Sequence, residues 1–403
     1  MASGFEDFTR AVTARRTSAP PSVAPFGRFA VLGGGADARL WAALCLSEGA
    51  EVTLFSAYGT ELEALRASSG IALRGAGPVG SYHVDRDGPS VRLTAELDAA
   101  VRGAEVIFLT GPLHKQRTYA MVLADHLSDG QVLVLAPGRS LGAVETAWYL
   151  RMGGCRADVT IVERQGLPFW YSEAGTGLEL ARAAPMVAAV LPRGREDVLA
   201  RLEPVLGASE LCDSVLVSGF ADLSGAVDIP ALVLGGAALA PGGVAVPMGG
   251  VPLPENATFA ALIGDDQRAV IEVLAEERRA CARAYGVRSL PETDDWIARF
   301  AGAGRGASPA QQYDGALGAR PVPDRTAAAQ MLRDGVVGSL VPLASAAALA
   351  GVAVPRTQAL ITLTETLLGA DIAASGRRFE TIGITSGDVD GARRAFDALM
   401  EGR

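Results

Sequence analysis

The chain has 403 residues, is 49% hydrophobic and carries a formal net charge of −9, which is enough apolar material for two or three domains at roughly 150 residues each. No clustered Lys/Arg stripe is present, so nucleic acid and anionic membranes are excluded as expected partners, because both need a cationic footprint. Cys45, Cys155, Cys212 and Cys281 are far apart with no C-x-x-C, which excludes a disulfide framework and a zinc site, and no metal is expected.

Residues 1–25 hold Arg15-Arg16 and a Pro/Ser/Ala-rich run without an apolar core, with acidic Glu6 and Asp7. Neither a secretory signal nor a transit peptide fits. The reading is a flexible extension or subunit clamp on a cytoplasmic protein. No uninterrupted apolar run reaches about 18 residues, so no transmembrane helix is expected.

Phe29 to Leu32 reads as a buried strand, then a glycine turn, then Leu40, Trp41, Leu44 and Cys45 on one helix face. The turn is Gly33-x-Gly35-x-x-Ala38, a form of the dinucleotide fingerprint. Its first glycine makes the turn, its second admits a pyrophosphate, and its small third residue lets helix and strand pack closely. Further strands are read at Glu51–Phe55, Ile71–Leu73, Val91–Leu93, Val106–Thr110, Gln131–Ala136 and Val159–Glu163. Helices are read near Glu61–Arg66, Leu97–Val101, Thr118–Leu127 and Leu141–Leu150. Such alternation predicts an α/β, Rossmann-type doubly wound parallel sheet over residues 26–192. Beyond Pro192-Arg-Gly-Arg195 the texture turns helical: Asp197–Val205, Pro230–Leu239, Asp265–Tyr285, Asp324–Arg333, Leu340–Ala350 and Thr357–Leu368. Residues 193–403 are therefore expected to form a mainly α-helical domain, with the active site at the seam. An apolar helix face there leads to the expectation of a homodimer.

Ligands of open parallel sheets lie beyond the carboxyl ends of the strands. At the end of the second strand Ser56 stands where a ribose-binding carboxylate is usual. Its neutrality favours NADP(H) slightly over NAD(H). The loop Thr110-Gly111-Pro112-Leu113-His114-Lys115 offers His114 and Lys115 as proton donors or carboxylate binders. The next strand ends in Pro137-Gly138-Arg139, where glycine permits close approach and Arg139 holds an anion or braces the loop. Glu163 ends the following strand. It either orients nicotinamide or an amine, or pairs with Arg139 across the strand ends.

Four stretches together resemble the opine dehydrogenase family: the glycine turn, Pro137-Gly-Arg-Ser-Leu-Gly-Ala-Val-Glu145, Val162-Glu-Arg-Gln-Gly-Leu-Pro-Phe169, and a C-terminal set. That set comprises Gly338-Ser-Leu-Val-Pro-Leu-Ala-Ser345, Leu349–Pro355, Leu368-Gly-Ala-Asp371 and Gly376-Arg-Arg-Phe-Glu380. The resemblance implies a Rossmann domain plus a helical opine domain and reduction by NAD(P)H of an imine made from an amine and a 2-oxo acid. It also implies an asparagine and, just before a proline, a histidine in the helical domain, the histidine working with a later Asp. Here the matching stretch has Gly225 for the asparagine and Ile229 for the histidine, while the later Asp matches Asp334. Asp228 is the nearest ionisable substitute, or else a helix N-cap. The departure keeps two other readings open: a 2-oxo acid reductase of ketopantoate reductase type, and a catalytically altered NAD(P)-binding protein.

Overall fold

The computed structural model describes residues 24–402 except 69, 184, 236–256, 295–296 and 298–319. The expected N-terminal extension therefore lies outside the described residues up to residue 23. Short apolar runs rich in Val, Leu and Ile form the strands β1 (Arg28–Leu32), β2 (Glu51–Phe55), β3 (Ile71–Gly75), β4 (Gly80–Tyr82), β5 (Val91–Thr94), β6 (Val106–Leu109), β7 (Val132–Leu135), β8 (Thr160–Arg164), β9 (Phe169–Ala174), β10 (Gly177–Arg182), β11 (Met186–Leu191) and β12 (Ser209–Leu211). Eight of them make one sheet in the order β12-β11-β8-β7-β6-β1-β2-β5. It is parallel throughout except where β11 runs against β8. A second sheet, β4-β3-β10-β9, stands beside it. Its hairpin β9–β10 and the strand β11 were not read from the sequence. Met186–Leu191 is an unbroken apolar run, buried throughout, and Leu178-Glu179-Leu180 alternates, so both strands carried a readable signal. The Gly175-Thr176 link between β9 and β10 is a weaker turn mark than Asn-Gly or Asp-Gly.

The large sheet continues to Leu211, past the division expected at residue 192, because β12 pairs in parallel with β11. Helices α1 (Ala36–Ser47), α2 (Gly59–Ala67), α3 (Leu97–Val101), α4 (Leu113–Leu123), α5 (Gly142–Met152) and α6 (Asp197–Leu206) accompany it. Central strands are buried on both faces, which explains their unbroken apolar runs. On one face Val31, Leu54, Phe108 and Val134 pack with Leu40 and Trp41 of α1. On the other, Leu32, Ile107, Leu109 and Leu133 pack with Ala120 and Leu123 of α4 and Val144 of α5. Trp41 stacks on Phe108 with centroids 4.6 Å apart, and its indole N–H donates to the Ala136 carbonyl at 2.9 Å.

The rest is helical: α7 (Val215–Ala221), α8 (Ser224–Leu234), α9 (Asp265–Ala284), α10 (Arg325–Gly335), a π-turn Val336–Leu340, α11 (Val341–Ala350), α12 (Pro355–Leu368) and α13 (Val389–Met400). A third apolar cluster, including Ile229, Leu232, Leu274, Leu332 and Val336, forms its core. Counted across their breaks, the helical stretches Val215–Leu234 and Arg325–Ala350 are long and apolar enough to cross a membrane, and most of each is buried in the protein. The criterion of an uninterrupted apolar run had passed over them, since Gly, Ser and Asp punctuate both.

A buried ionic cluster ties the helical part to the sheet. Arg377 is fully buried and donates to Glu145 at 2.8 Å, to the Gly138 and Ser140 carbonyls at 2.6 and 2.9 Å, and to Gln116 at 2.9 Å. Arg117 adds two bonds to the other oxygen of Glu145, at 2.9 and 2.6 Å. Removing one member of such a cluster strands a desolvated charge. Arg377→Ala is therefore expected to lose about 3–5 kcal/mol in urea unfolding, while Arg378→Ala, next to it and half-exposed, stays within about 1 kcal/mol.

Candidate active site

The strand ends meet the helical part along one cleft. Gly33 turns at φ 131°, a conformation that side chains rarely adopt, and any side chain there would strike Thr110 Oγ1. Ala38 is buried beneath it, and nothing stands within 4 Å of a Cβ placed on Gly35. The first turn of α1 has no side-chain cap, so its N–H groups stay available to an anion above Gly35. This cradle fits the pyrophosphate of a dinucleotide.

Asp37 in that first turn is the exception to an otherwise anion-friendly surface. Burial pushes its carboxyl up to about 6, against the Tyr171 hydroxyl that donates to it at 2.6 Å. Tyr171 belongs to β9, so the second sheet reaches into the cleft. The cleft's other wall comes from α10. There Asp334 accepts from the Leu113 N–H at 3.2 Å and from Gln330 at 2.9 Å. Burial raises its pKa, while Arg139 and His114 pull it down. His114 is itself lowered, first by partial desolvation, with Asp334 opposing. The Asp334 charge therefore reaches both Asp37 and His114, and the Arg139 guanidinium reaches both carboxyls.

Arg139 sits at φ 55° and Leu141 at φ 62°, two left-handed non-glycine residues flanking Ser140. Such backbone costs about 1–3 kcal/mol per residue and persists only where its surroundings impose it. Here the Ser140 N–H donates to the Gly338 carbonyl at 2.9 Å, and Arg377 holds the Gly138 and Ser140 carbonyls. The same loop leaves the buried Nε of Arg139 without a hydrogen-bond partner, an unspent donor beside the cleft.

No protein-family profile matches the chain. A curated opine dehydrogenase from Arthrobacter sp. (strain 1C) is 25% identical over 379 residues, covering 92% of this chain and 98% of its own. An octopine dehydrogenase structure with NADH and L-arginine superimposes with a TM-score of 0.64 at 17% identity, over 94% of this chain and 98% of that one. In sequence and in fold the chain is thus similar to opine dehydrogenases along nearly its whole length. A ketopantoate reductase from Ralstonia eutropha JMP134 gives 0.56 at 18% identity, over 85% and 98%.

Within the opine dehydrogenase frame, the expected residues separate into three groups. Gly33, Gly35 and Ala38 form the turn, Gly111 stands against Asp37, and Pro112, His114 and Arg139 lie near Asp334. Pro137 and Gly138 are buried, their carbonyls accepting from Gln116 and Arg377. Asp228 does not join them, and it is no N-cap either, since it lies in the middle of α8. It is buried in a two-bond pair with Arg320, at 2.7 and 3.1 Å. That guanidinium lies over the rings of Trp170 and Phe259, so the carboxylate is held as a structural counter-charge. Lys115 turns from the proton chemistry toward the second strand, 3.2 Å from the Tyr58 hydroxyl. Ile229 is fully buried against Gly335, the neighbour of Asp334.

Glu163 pairs with neither Arg139 nor an open cleft. It is fully buried, accepting from the Ala143 N–H and the Ser218 hydroxyl at 2.8 Å each, and so pins the start of α5 to α7. Ser56 donates to Glu61, so a carboxylate stands where the sequence pointed to a neutral site, and the ground for preferring NADP(H) is gone. Three cleft residues were missed. Asp37 lies inside the quoted turn, and an acid at a phosphate-binding turn was the available signal. Tyr171 and Glu61 carried none, since only the fold brings them near.

Burial lifts Glu163 from 4.5 to about 7. The folded state then holds this proton more tightly than the unfolded chain, so its contribution falls as pH rises through that interval. Urea unfolding of Glu163→Gln against wild type from about pH 5 to about pH 8 is expected to move the difference toward the variant, by up to about 3 kcal/mol.

Proposed function

We propose that the protein is an NAD(P)H-dependent oxidoreductase reducing the C=N bond formed between an amine or amino acid and a 2-oxo acid. The observation that carries this reading is the meeting of a dinucleotide cradle with Asp334, His114 and Arg139 at one seam. The octopine dehydrogenase structure with NADH and L-arginine supports a nicotinamide cofactor and an amino acid as substrate class. The working unit is the sheet region through β12 together with the helical part that follows it.

The bound nicotinamide supplies hydride. Reduction of C=N adds that hydride to carbon and a proton to nitrogen, so this chain must furnish an acid. Asp334 serves, because burial keeps its proton to higher pH than an ordinary carboxyl. His114, exposed at the mouth with a lowered pKa, stays mostly neutral near pH 7 and returns the proton from solvent to Asp334. Arg139 offers its spare donor to the carboxylate of the oxo acid or amino acid. The backbone at Gly33, Gly35, Gly111, Pro112, Pro137 and Gly138 lines the dinucleotide's path, and Glu163 supports it by fixing α5.

Ile229 favours a second reading. With isoleucine rather than histidine at position 229, the protein reduces a 2-oxo acid directly, as a ketopantoate reductase type would. Amine dependence separates the two: NADH oxidation by a 2-oxo acid alone supports the second, and oxidation requiring both partners supports the first. Absence of turnover across a panel of amines and oxo acids, with cofactor binding intact, leaves the catalytically altered NAD(P)-binding protein. We also propose a homodimer, supported by the exposed Leu363 and Leu367 on α12 and tested by sedimentation. A reducing, cytoplasmic compartment is supported by four unpaired cysteines.

Asp334→Asn is expected to lower kcat by about 100-fold or more with NADH affinity unchanged, read by stopped-flow absorbance and fluorescence titration. Asp228→Asn is expected to act differently. It removes the charge that the buried Arg320 guanidinium meets in two bonds and is expected to cost about 3 kcal/mol of unfolding free energy, with kcat of the folded fraction retained.

A further inference from the structure

The second strand of a dinucleotide fold ends beside the adenosine ribose, and the group standing there decides whether a 2′-hydroxyl or a 2′-phosphate is accepted. In this chain Ser56 occupies that end, fully buried, with its hydroxyl turned toward Glu61. Glu61 sits in the first turn of α2, five residues on. Its carboxylate folds back over the glycine turn so closely that any side chain at Gly34 would run into it. The backbone of Tyr58 donates to the same Ser56 oxygen at 3.1 Å, which fixes the hydroxyl as a donor toward Glu61. Two independent contacts, with Ser56 and with the Gly34 backbone, thus set one carboxylate at the ribose end of the cradle.

Two basic side chains near this end have partners among the described residues. Arg66, at the end of α2, bonds Asp85 at 2.8 Å. Lys115 lies over the Tyr58 ring, 4.5 Å from its centroid, and bonds its hydroxyl. A 2′-phosphate would bring about two negative charges against the Glu61 carboxylate, whereas a ribose diol offers two donors that a carboxylate accepts well.

We propose that Glu61, presented from a helix rather than from the strand end, binds the adenosine ribose hydroxyls and makes this protein select NADH over NADPH. The inference rests on the dinucleotide reading of the glycine turn. It is independent of the substrate and of the acid that protonates it.

The test is binding, without turnover: fluorescence titration of the wild-type protein with NADH and with NADPH, repeated for Glu61→Gln and Glu61→Ser. NADH is expected to bind wild type about 100-fold tighter than NADPH, and each replacement to weaken NADH about tenfold while drawing NADPH to within about tenfold of it. NADPH binding as tightly as NADH in wild type overturns the inference, whether or not the variants fold. So does an unchanged ratio in a variant whose melting temperature matches wild type. Binding of neither dinucleotide overturns the underlying reading, and the inference with it, and is thereby told apart from a loss of selectivity alone.

Discussion

A single desolvated guanidinium, Arg377, sets the loop on which the cleft is built and joins it to the helical half. Burying such a charge costs several kcal/mol unless each donor finds an acceptor. Here Glu145, Gln116 and the carbonyls of Gly138 and Ser140 all converge on it. Those carbonyls point inward because Arg139 and Leu141 take left-handed backbone, so the strained loop and the buried charge require each other. Glu145 is shared with Arg117, which ties α4, α5 and the segment after α12 into one unit. Two of the stretches that carried the family resemblance, Pro137–Glu145 and Gly376–Glu380, are thus the two sides of one ionic contact.

The helical side of the seam depends on small residues. A Cβ on Gly225 would lie 2.7 Å from Ser339 and 2.8 Å from the Gly335 carbonyl, and one on Gly335 would lie 3.1 Å from Ile229. Helices α8 and α10 therefore approach backbone to backbone, and this closeness carries Asp334 to the start of α4. The π-turn that follows shifts the helix register, and its Gly338 carbonyl reaches the Ser140 N–H. Glycine at 225, where the family resemblance implies an asparagine, thus has a packing reason that goes together with Ile229 nearby.

The protein is acidic, and its cleft is not a cationic funnel. Asp37 and Asp334 line it near the proton chemistry, and Glu61 lies at the far end. Phosphates in such a place are held by backbone N–H groups and a helix N-terminus, whose partial charges need no lysine. An acidic chain can therefore hold a dinucleotide's phosphates without a basic cluster.

Local rules made much of the molecule legible from the chain alone. Strands buried on both faces announce themselves as unbroken apolar runs, and a glycine turn between strand and helix has one mechanical use, so the parallel sheet and the dinucleotide cradle were readable from Phe29 to Ala38 and onward. The helical second half was readable by pattern and resemblance. Long-range geometry decided the rest. Nothing in residues 137–145 says that Arg377 will fill their loop 232 residues on, nor that Tyr171 will reach Asp37 from another sheet. Asp228 looked like an acid because its neighbours in sequence are apolar, and became a counter-charge because Arg320 arrives from elsewhere. Ser56 looked neutral until the turn of α2 brought Glu61 back upon it. Sequence determines periodicity and turns, which depend on neighbouring residues. Protonation state and charge at a site depend on which distant groups share its low-dielectric volume, and only the tertiary structure decides that.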